Sequence, residues 1–429
     1  MKGFLEQYGV GIFTLVIIAI LIAFTGPFGG MIKTATNNQI KNVDKIGTER
    51  VANADRPEEP KVSQNYVYAC LYKNGELVFS ANEIKSKENV RRDYGKVELA
   101  SNTLPTWNEN ATEVLTVRFE TAIKPTSCYS WFENMGNLVE IKNLEAVYTD
   151  KCDSMENMFR GCNCLIAVDT KHFDTKNVST MAYMFFGCEN VKSLDVSNFN
   201  TSKVSNMSTM FDGCTNVQTL DVSNFDTSKV SNMGYMFSDC RSITKLDVSN
   251  FDTSNCTNMK YMFSDCKSLE ILNVSNFDTY NVTDMHCMFN DCYNVNVLDV
   301  SNFNTTACTD MYAMFRFCKN ISTLDVSSFN THNVTNMNRM FSNLSKISSL
   351  DVSNFDTANV NNMYGMFNNN NLRTLDLSSF DTSNVSDMHI MFTASKNLTS
   401  IFVSSSWTTE NADITDMFLN CGTDHVTQK

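Results

Sequence analysis

Cysteine, aspartate, methionine and histidine are the side chains through which this chain could bind metal, form cross-links or move protons, and their spacing is regular. Cys162, Cys188, Cys214, Cys240, Cys266, Cys292 and Cys318 recur every 26 residues, and Leu344 stands at the next such position. Cys152, Cys256 and Cys308 share a second position, filled elsewhere by Val178, Val204, Val230 and Val282. Residues that exchange with Leu and Val are core residues, so the favoured expectation is reduced, buried packing thiols. Disulfides between neighbouring repeats and metal binding are the alternatives. The total of 15 cysteines is odd, and no CxxC pair or nearby histidine supports a metal.

The methionine ladder, Met207, Met210, Met233, Met236, Met259 and Met262, is expected in the core for the same reason. Asp195, Asp221, Asp247, Asp299, Asp325, Asp351 and Asp376 form an acidic ladder that Asn273 interrupts. Stacked about 5 Å apart, such carboxylates repel by roughly 1 kcal/mol per pair in water, so something must offset them. Hydrogen bonds from backbone, Ser or Thr are the favoured partners, with a bound cation or a basic ligand as the alternative. The histidines, His172, His286, His332, His389 and His425, fall at unrelated repeat positions, and no GxSxG, HExxH or phosphate loop is present. The expectation is a non-catalytic protein with no catalytic, cofactor-binding or metal residues, and with ligand-binding residues unassigned. The recurring Asn-x-Ser/Thr triplets follow from the repetition itself.

The elements that must position these residues follow from the repeat. One unit reads LDVSNFNTSKVSNMSTMFDGCTNVQT from Leu194, and the period continues through Leu220, Leu246, Leu272, Leu298, Leu324 and Leu350. The next unit starts one residue early at Leu375, a loss that maps to the asparagine run 368–371. Leu194 and Val196 alternate with Asp195 and Ser197, which predicts a short strand with one buried face. Val204, Met207, Phe211 and Cys214 lie at helical spacing, which predicts a short helix with Ser205 and its equivalents Ser231, Thr257, Thr283, Thr309, Thr335 and Ser386 as N-caps. The expected fold class is therefore α/β, a leucine-rich-repeat-like solenoid with a short strand and a short helix per 26-residue repeat. An MF pair marks each unit from Phe159 to Phe418, with Trp131 and Phe132 as a degenerate earlier copy.

Four segments are expected. Residues 1–32 form a hydrophobic anchor or uncleaved signal, because Val10 to Phe24 is apolar enough to enter a bilayer as a transmembrane helix. The positive charges at Lys33, Lys41, Lys45 and Arg50 oppose export of the chain beyond them, but long C-terminal domains translocate largely regardless of charge. Residues 33–61 are a polar linker. Residues 62–138 form a small β-containing cap, in which VYACLY and ELVFS flank KNGE as a hairpin. Residues 139–429 form the solenoid, about ten to eleven repeats, with no separate cap at its C-terminal end. All five prolines, Pro27, Pro57, Pro60, Pro105 and Pro125, precede it. The net charge of −13 excludes the basic stripe that nucleic-acid binding requires.

The unit, with LDVSNFDTSNVTDM-like segments and MF followed by Cys, resembles the BspA-like surface repeat, the DUF285 family. The resemblance covers about 260 residues and extends to the lead-in YVYACLYKNGELVFS and IKPTSCYSWFENMGNLVEI. It implies an exported leucine-rich-repeat protein used for adhesion or recognition; with the apolar N-terminal segment, the expected place is the cell surface, membrane-anchored by the N-terminus, and secretion is the alternative. The expected partners are a protein or glycan outside the cell, and the membrane through the N-terminal helix. A structural surface-layer or assembly protein is the alternative. Positions 208 and 209 and their equivalents vary between units while SNFDT is nearly constant, so specificity is expected on the helical face or in the lead-in.

Overall fold

A computed structural model of the chain describes residues 58–60 and 64–429. The expected anchor and nearly all of the expected linker lie outside the described residues. Among the described residues no helix is long and apolar enough to cross a membrane.

The lead-in begins with the expected hairpin. Strands β1 (Tyr66–Tyr72) and β2 (Glu76–Ser80) pair antiparallel. Gly75 closes the turn at φ +81°, its N–H donating to the Tyr72 carbonyl at 3.0 Å, a conformation that glycine adopts without strain. Strand β3 (Val90–Glu98) joins β1, and β4 (Thr116–Phe119) and β5 (Glu140–Lys142) extend the sheet in the order β3-β1-β2-β4-β5. Both junctions beyond β2 are parallel, so the sheet changes from hairpin to solenoid character within itself. Phe79, Trp107, Phe119, Trp131 and Phe132 fill the end of the stack, and Phe132 lies 5.3 Å from Phe159, which makes it the first member of the long phenylalanine ladder.

From there the chain winds as a β-solenoid of about 12 turns. The predicted strand face is present. Leu194 and Val196 are buried while Asp195 and Ser197 are exposed, and short parallel strands form at β6 (Ser193–Leu194), β7 (Thr219–Leu220), β8 (Thr374–Leu377) and β9 (Ser400–Val403). Strand β10 (Thr427–Gln428) lies parallel to β9 and covers the last turn, although no separate element was expected there.

The predicted helix per repeat does not form. The described residues contain two 3-10 helices, Thr106–Glu113 and Leu144–Ala146, and no α-helix. In its place each rung carries successive β-turns. Met210 N–H donates to the Met207 carbonyl at 3.3 Å and Cys214 N–H to the Phe211 carbonyl at 3.1 Å. The third residue of each turn is left-handed, Thr209 at φ +60° and Gly213 at +74°, and this alone stops a helix. Intervening N–H groups reach the next rung instead: Met207 to Asn232, Thr209 to Gly234, Phe211 to Met236 and Gly213 to Ser238, all at 2.9–3.1 Å.

Spacing explains the outcome. Phe185, Phe211, Phe237 and Phe263 stack with centroids 5.8 Å apart and planes within 9° of parallel. A helix needs about 10 Å of width, so rungs packed at this pitch have no room for one each. The predicted N-cap role also moves. Ser205 donates its hydroxyl to the Ser179 carbonyl of the preceding rung, while the neighbouring Asn206 accepts the Ser208 N–H at 3.0 Å. Asn206 belongs to a row of eleven bridged residues from Ser154 to Asp413.

Candidate binding surface

Along the repeat, the residue types that could do chemistry are used to join the rungs or to shape their turns. The ladder cysteines are buried, and their thiols donate to phenylalanine carbonyls: Cys214 to Phe185 at 3.3 Å, Cys240 to Phe211 at 3.2 Å, Cys266 to Phe237 at 3.1 Å. Ser395 takes over this bond in a later rung, reaching the Phe367 carbonyl at 2.8 Å. These sulfurs are therefore donors as well as packing atoms, a role that exchange with Leu344 concealed. Burial pushes Cys188 up to about 12 and Cys214 well above the ordinary thiol range, so neither is a nucleophile at neutral pH. All 15 cysteines are free, and where the lead-in meets the first repeats the Cys128 and Cys152 sulfurs lie 3.3 Å apart. The ladder methionines are buried as expected.

The aspartate ladder finds its partners within its own turn. Asp195 accepts both the N–H and the hydroxyl of Ser197, at 3.1 and 2.6 Å, and Asp247 does the same with Ser249. The Ser223, Ser249 and Ser301 hydroxyls and N–H groups hold Asp221, Asp247 and Asp299 below the usual carboxylate range. A second row does likewise, Asp226 with Ser228 and Asp252 with Ser254. Among the described residues no group of three or more His, Cys, Asp or Glu is arranged to hold a metal ion.

The constancy of SNFDT has the same origin. Asn224 donates its amide to the Phe199 carbonyl at 2.7 Å, and Asn250 to Phe225 at 2.9 Å. The following threonine clamps the next rung in both directions. Thr201 donates to the Asp226 carbonyl at 2.9 Å and accepts the Asp226 N–H at 2.7 Å; Thr279 does so with Asn304 at 2.9 and 2.8 Å. The threonines are buried, with Thr201, Thr227, Thr253 and Thr279 each 1% exposed. Sequence reasoning passed over them because their periodicity looked like surface uniformity.

The variable positions 208 and 209 also pack against one another. Tyr235, Tyr261, His286 and Tyr312 form one column of rings with centroids 4.5, 4.8 and 4.7 Å apart, the first pair stacked and the other two tilted. Where position 209 changes from Tyr to Cys287 or Ala313, the ring is supplied from position 208, so part of the variation is compensation in packing. His286 and His389 occupy the same repeat position, contrary to the expectation that the histidines are unrelated; the one-residue deletion before Leu375 hid this. Each donates its backbone N–H to an aspartate two residues earlier and packs against a tyrosine ring, Tyr261 or Tyr364.

Two features were not found from sequence. In the lead-in, the buried Cys70 thiol lies 3.2 Å from Asp93 and 3.7 Å from the Lys87 ammonium. Burial, reinforced by Asp93, pushes the thiol up to about 11, which removes it as a nucleophile despite the lysine. On the strand face, the outward column through Thr219 and Thr323 carries Lys245, Ile271 and Val297, and the last two are 59% and 69% exposed. They sit beside Asn273, the one neutral member of the acidic ladder. Aligning the units at Thr219 would have exposed this break.

A sequence profile described as "Mycoplasma protein of unknown function, DUF285" matches residues 126–245, 236–349 and 309–428. No curated protein matches the chain. Among solved structures, a leucine rich cell surface protein from Faecalibacterium prausnitzii A2-165 is similar over 88% of this chain and 96% of its own, at 14% identity and a TM-score of 0.43. A leucine-rich repeat protein from Bacteroides ovatus ATCC 8483 is similar over 86% of this chain and 99% of its own, at 11% identity and a TM-score of 0.36. One from Eubacterium ventriosum ATCC 27560 covers 82% and 95%, at 14% identity and a TM-score of 0.27.

Proposed function

The chain belongs to the DUF285 family, and from that premise we propose that it is a non-catalytic binding protein displayed at a cell surface, recognising a protein or glycan through the outer surface of its solenoid. The observation that carries the reading is the division of labour within each rung. Cys, Thr and Asn at constant positions are engaged in bonds that join the rungs, so their chemistry is already used, while Asp is bonded within its own turn and keeps its charge. What differs from rung to rung on the strand face is the outward column Thr219, Lys245, Ile271, Val297 and Thr323, and a long rigid surface with locally varied side chains is suited to recognition. The perturbed thiols are raised rather than lowered, which argues against nucleophilic catalysis. The apolar segment from Val10 to Phe24 is the element that would hold the protein at a membrane.

Protease shaving of intact cells that express the full chain with a C-terminal tag, beside a cytoplasmic control protein, tests the display. Loss of the tag and repeats with the control intact is the expected result. Protection of the repeats while the control is also intact would overturn it and place the solenoid inside the cell.

A further inference from the structure

Seven large hydrophobic residues are exposed among the described residues, and four of them, Ile271, Tyr280, Tyr293 and Val297, fall within a single repeat length. Ile271 and Val297 are direct neighbours, joined with Lys245 in one row of parallel bridges on the strand face. Towards the N-terminus the same face continues into a shallow depression lined by Asp195, Thr219, Asp221 and Lys245. Towards the C-terminus the flanking column returns to Asp299 and Asp325. The face therefore presents an apolar pair at its centre, a neutral Asn273 beside it, and carboxylates on both sides.

Resting on the reading of the chain as a surface binding protein, we propose that this patch is its recognition site and that the occupant is an extended protein segment, with aliphatic side chains at its centre and lysine or arginine on either side. Charge complementarity selects the occupant. The five carboxylates Asp195, Asp221, Asp247, Asp299 and Asp325 attract cations, and Lys245 is the one opposing charge in these two columns. Burying Ile271 and Val297 against aliphatic partners removes apolar surface from water at the middle of the contact, where such anchors contribute most. A second copy of this chain is disfavoured, because it would set one acidic ladder against another. A glycan is disfavoured because Ile271 and Val297 at the centre are branched aliphatic groups, and the exposed Tyr280 and Tyr293 lie outside these two columns. Asp195 and Asp325 are five rungs apart, about 24 Å at ~4.8 Å per rung, which an extended segment of about seven residues spans.

The test is selection of a random-peptide library on the full chain in detergent micelles, with counter-selection on the Ile271→Glu/Val297→Glu variant. Both positions are exposed, and unchanged urea unfolding confirms that the variant is folded. The expected binders carry Lys or Arg on both sides of an aliphatic residue. They should lose about tenfold or more in affinity on the double variant and on Asp299→Asn/Asp325→Asn, and weaken as salt rises. Binders that tolerate both variants, binders rich in acidic residues, or no variant-sensitive binder at all would overturn the proposal. So would a glycan whose binding to the full chain is abolished by Ile271→Glu/Val297→Glu. Cell-surface shaving reads the display separately, so a displayed protein with an unselective patch refutes this inference and leaves the broader reading standing.

Discussion

Replacing Thr279 by valine isolates the bond that explains the constancy of SNFDT. Valine keeps the branched shape of threonine, so packing in the buried site is preserved and only the hydroxyl is lost. That hydroxyl serves two backbone groups of the next rung, donating to the Asn304 carbonyl at 2.9 Å and accepting the Asn304 N–H at 2.8 Å. Each buried group left without a partner costs about 1–3 kcal/mol. The Asn304 side chain is exposed, so water reaches part of this backbone and the lower end applies, about 2–3 kcal/mol for the pair. Thr279→Ser provides the control: it keeps the hydroxyl and deletes one methyl, which costs roughly 1 kcal/mol. Urea unfolding should therefore rank wild type above Ser and Ser above Val. Because rungs interact only with their neighbours, the damage should be local. Hydrogen exchange should accelerate at the Asn304 amide in Thr279→Val and remain slow there in Thr279→Ser. A valine variant as stable as the serine variant, or an Asn304 amide equally protected in both, would refute the clamp as the cause of the motif.

Far-UV circular dichroism should show far less helix than one short helix per repeat would give, because the repeat segments with helical spacing are β-turns; a helix content of one short helix per repeat would contradict the fold. A chromogenic disulfide reagent should react quickly with two thiols of the native chain, the partly exposed Cys164 and Cys421, and with all 15 after unfolding; fast reaction of the ladder cysteines would show that the rungs open. Asp212 is pushed up to about 7 by burial, with the charges of Asp239 and Asp265 adding and the Ser238 hydrogen bond opposing. Between about pH 4 and 7 the folded chain holds a proton that the unfolded chain has released, so this group's contribution falls as pH rises through that window. Asp212→Asn should raise stability at about pH 8 by about 1–2 kcal/mol, after allowing for partial exposure, and change little below about pH 4; an equal effect at both would exclude the titration. Asp221, Asp247 and Asp299 act with the opposite sign, losing their contribution as pH falls through their lowered values.

What was legible in the sequence, and what was not, divides along a physical line. Burial was legible, because alternation at Leu194 and Val196, exchange of Cys318 for Leu344, and the MF ladder all depend only on which side of the chain faces the core. The local conformation joining those buried positions was not. Met207, Met210, Phe211 and Cys214 stand at offsets 0, 3, 4 and 7, and two successive four-residue turns place those offsets on one side as well as a helix does. The distinguishing signal was the residue before the cysteine, Gly187, Gly213, Asp239, Asp265 and Asp291, a succession of types that tolerate positive φ. At position 209 no such signal exists, since Tyr235, Tyr261 and Ile390 have no intrinsic preference for the left-handed region and are held there by the rungs on either side. The candidate site was hidden for a related reason. A repeat draws attention to what recurs, but recurrence here follows from each rung making the same bonds to the next. A partner must instead be distinguished by the positions at which one rung departs from the others, and Asn273, Ile271 and Val297 depart together.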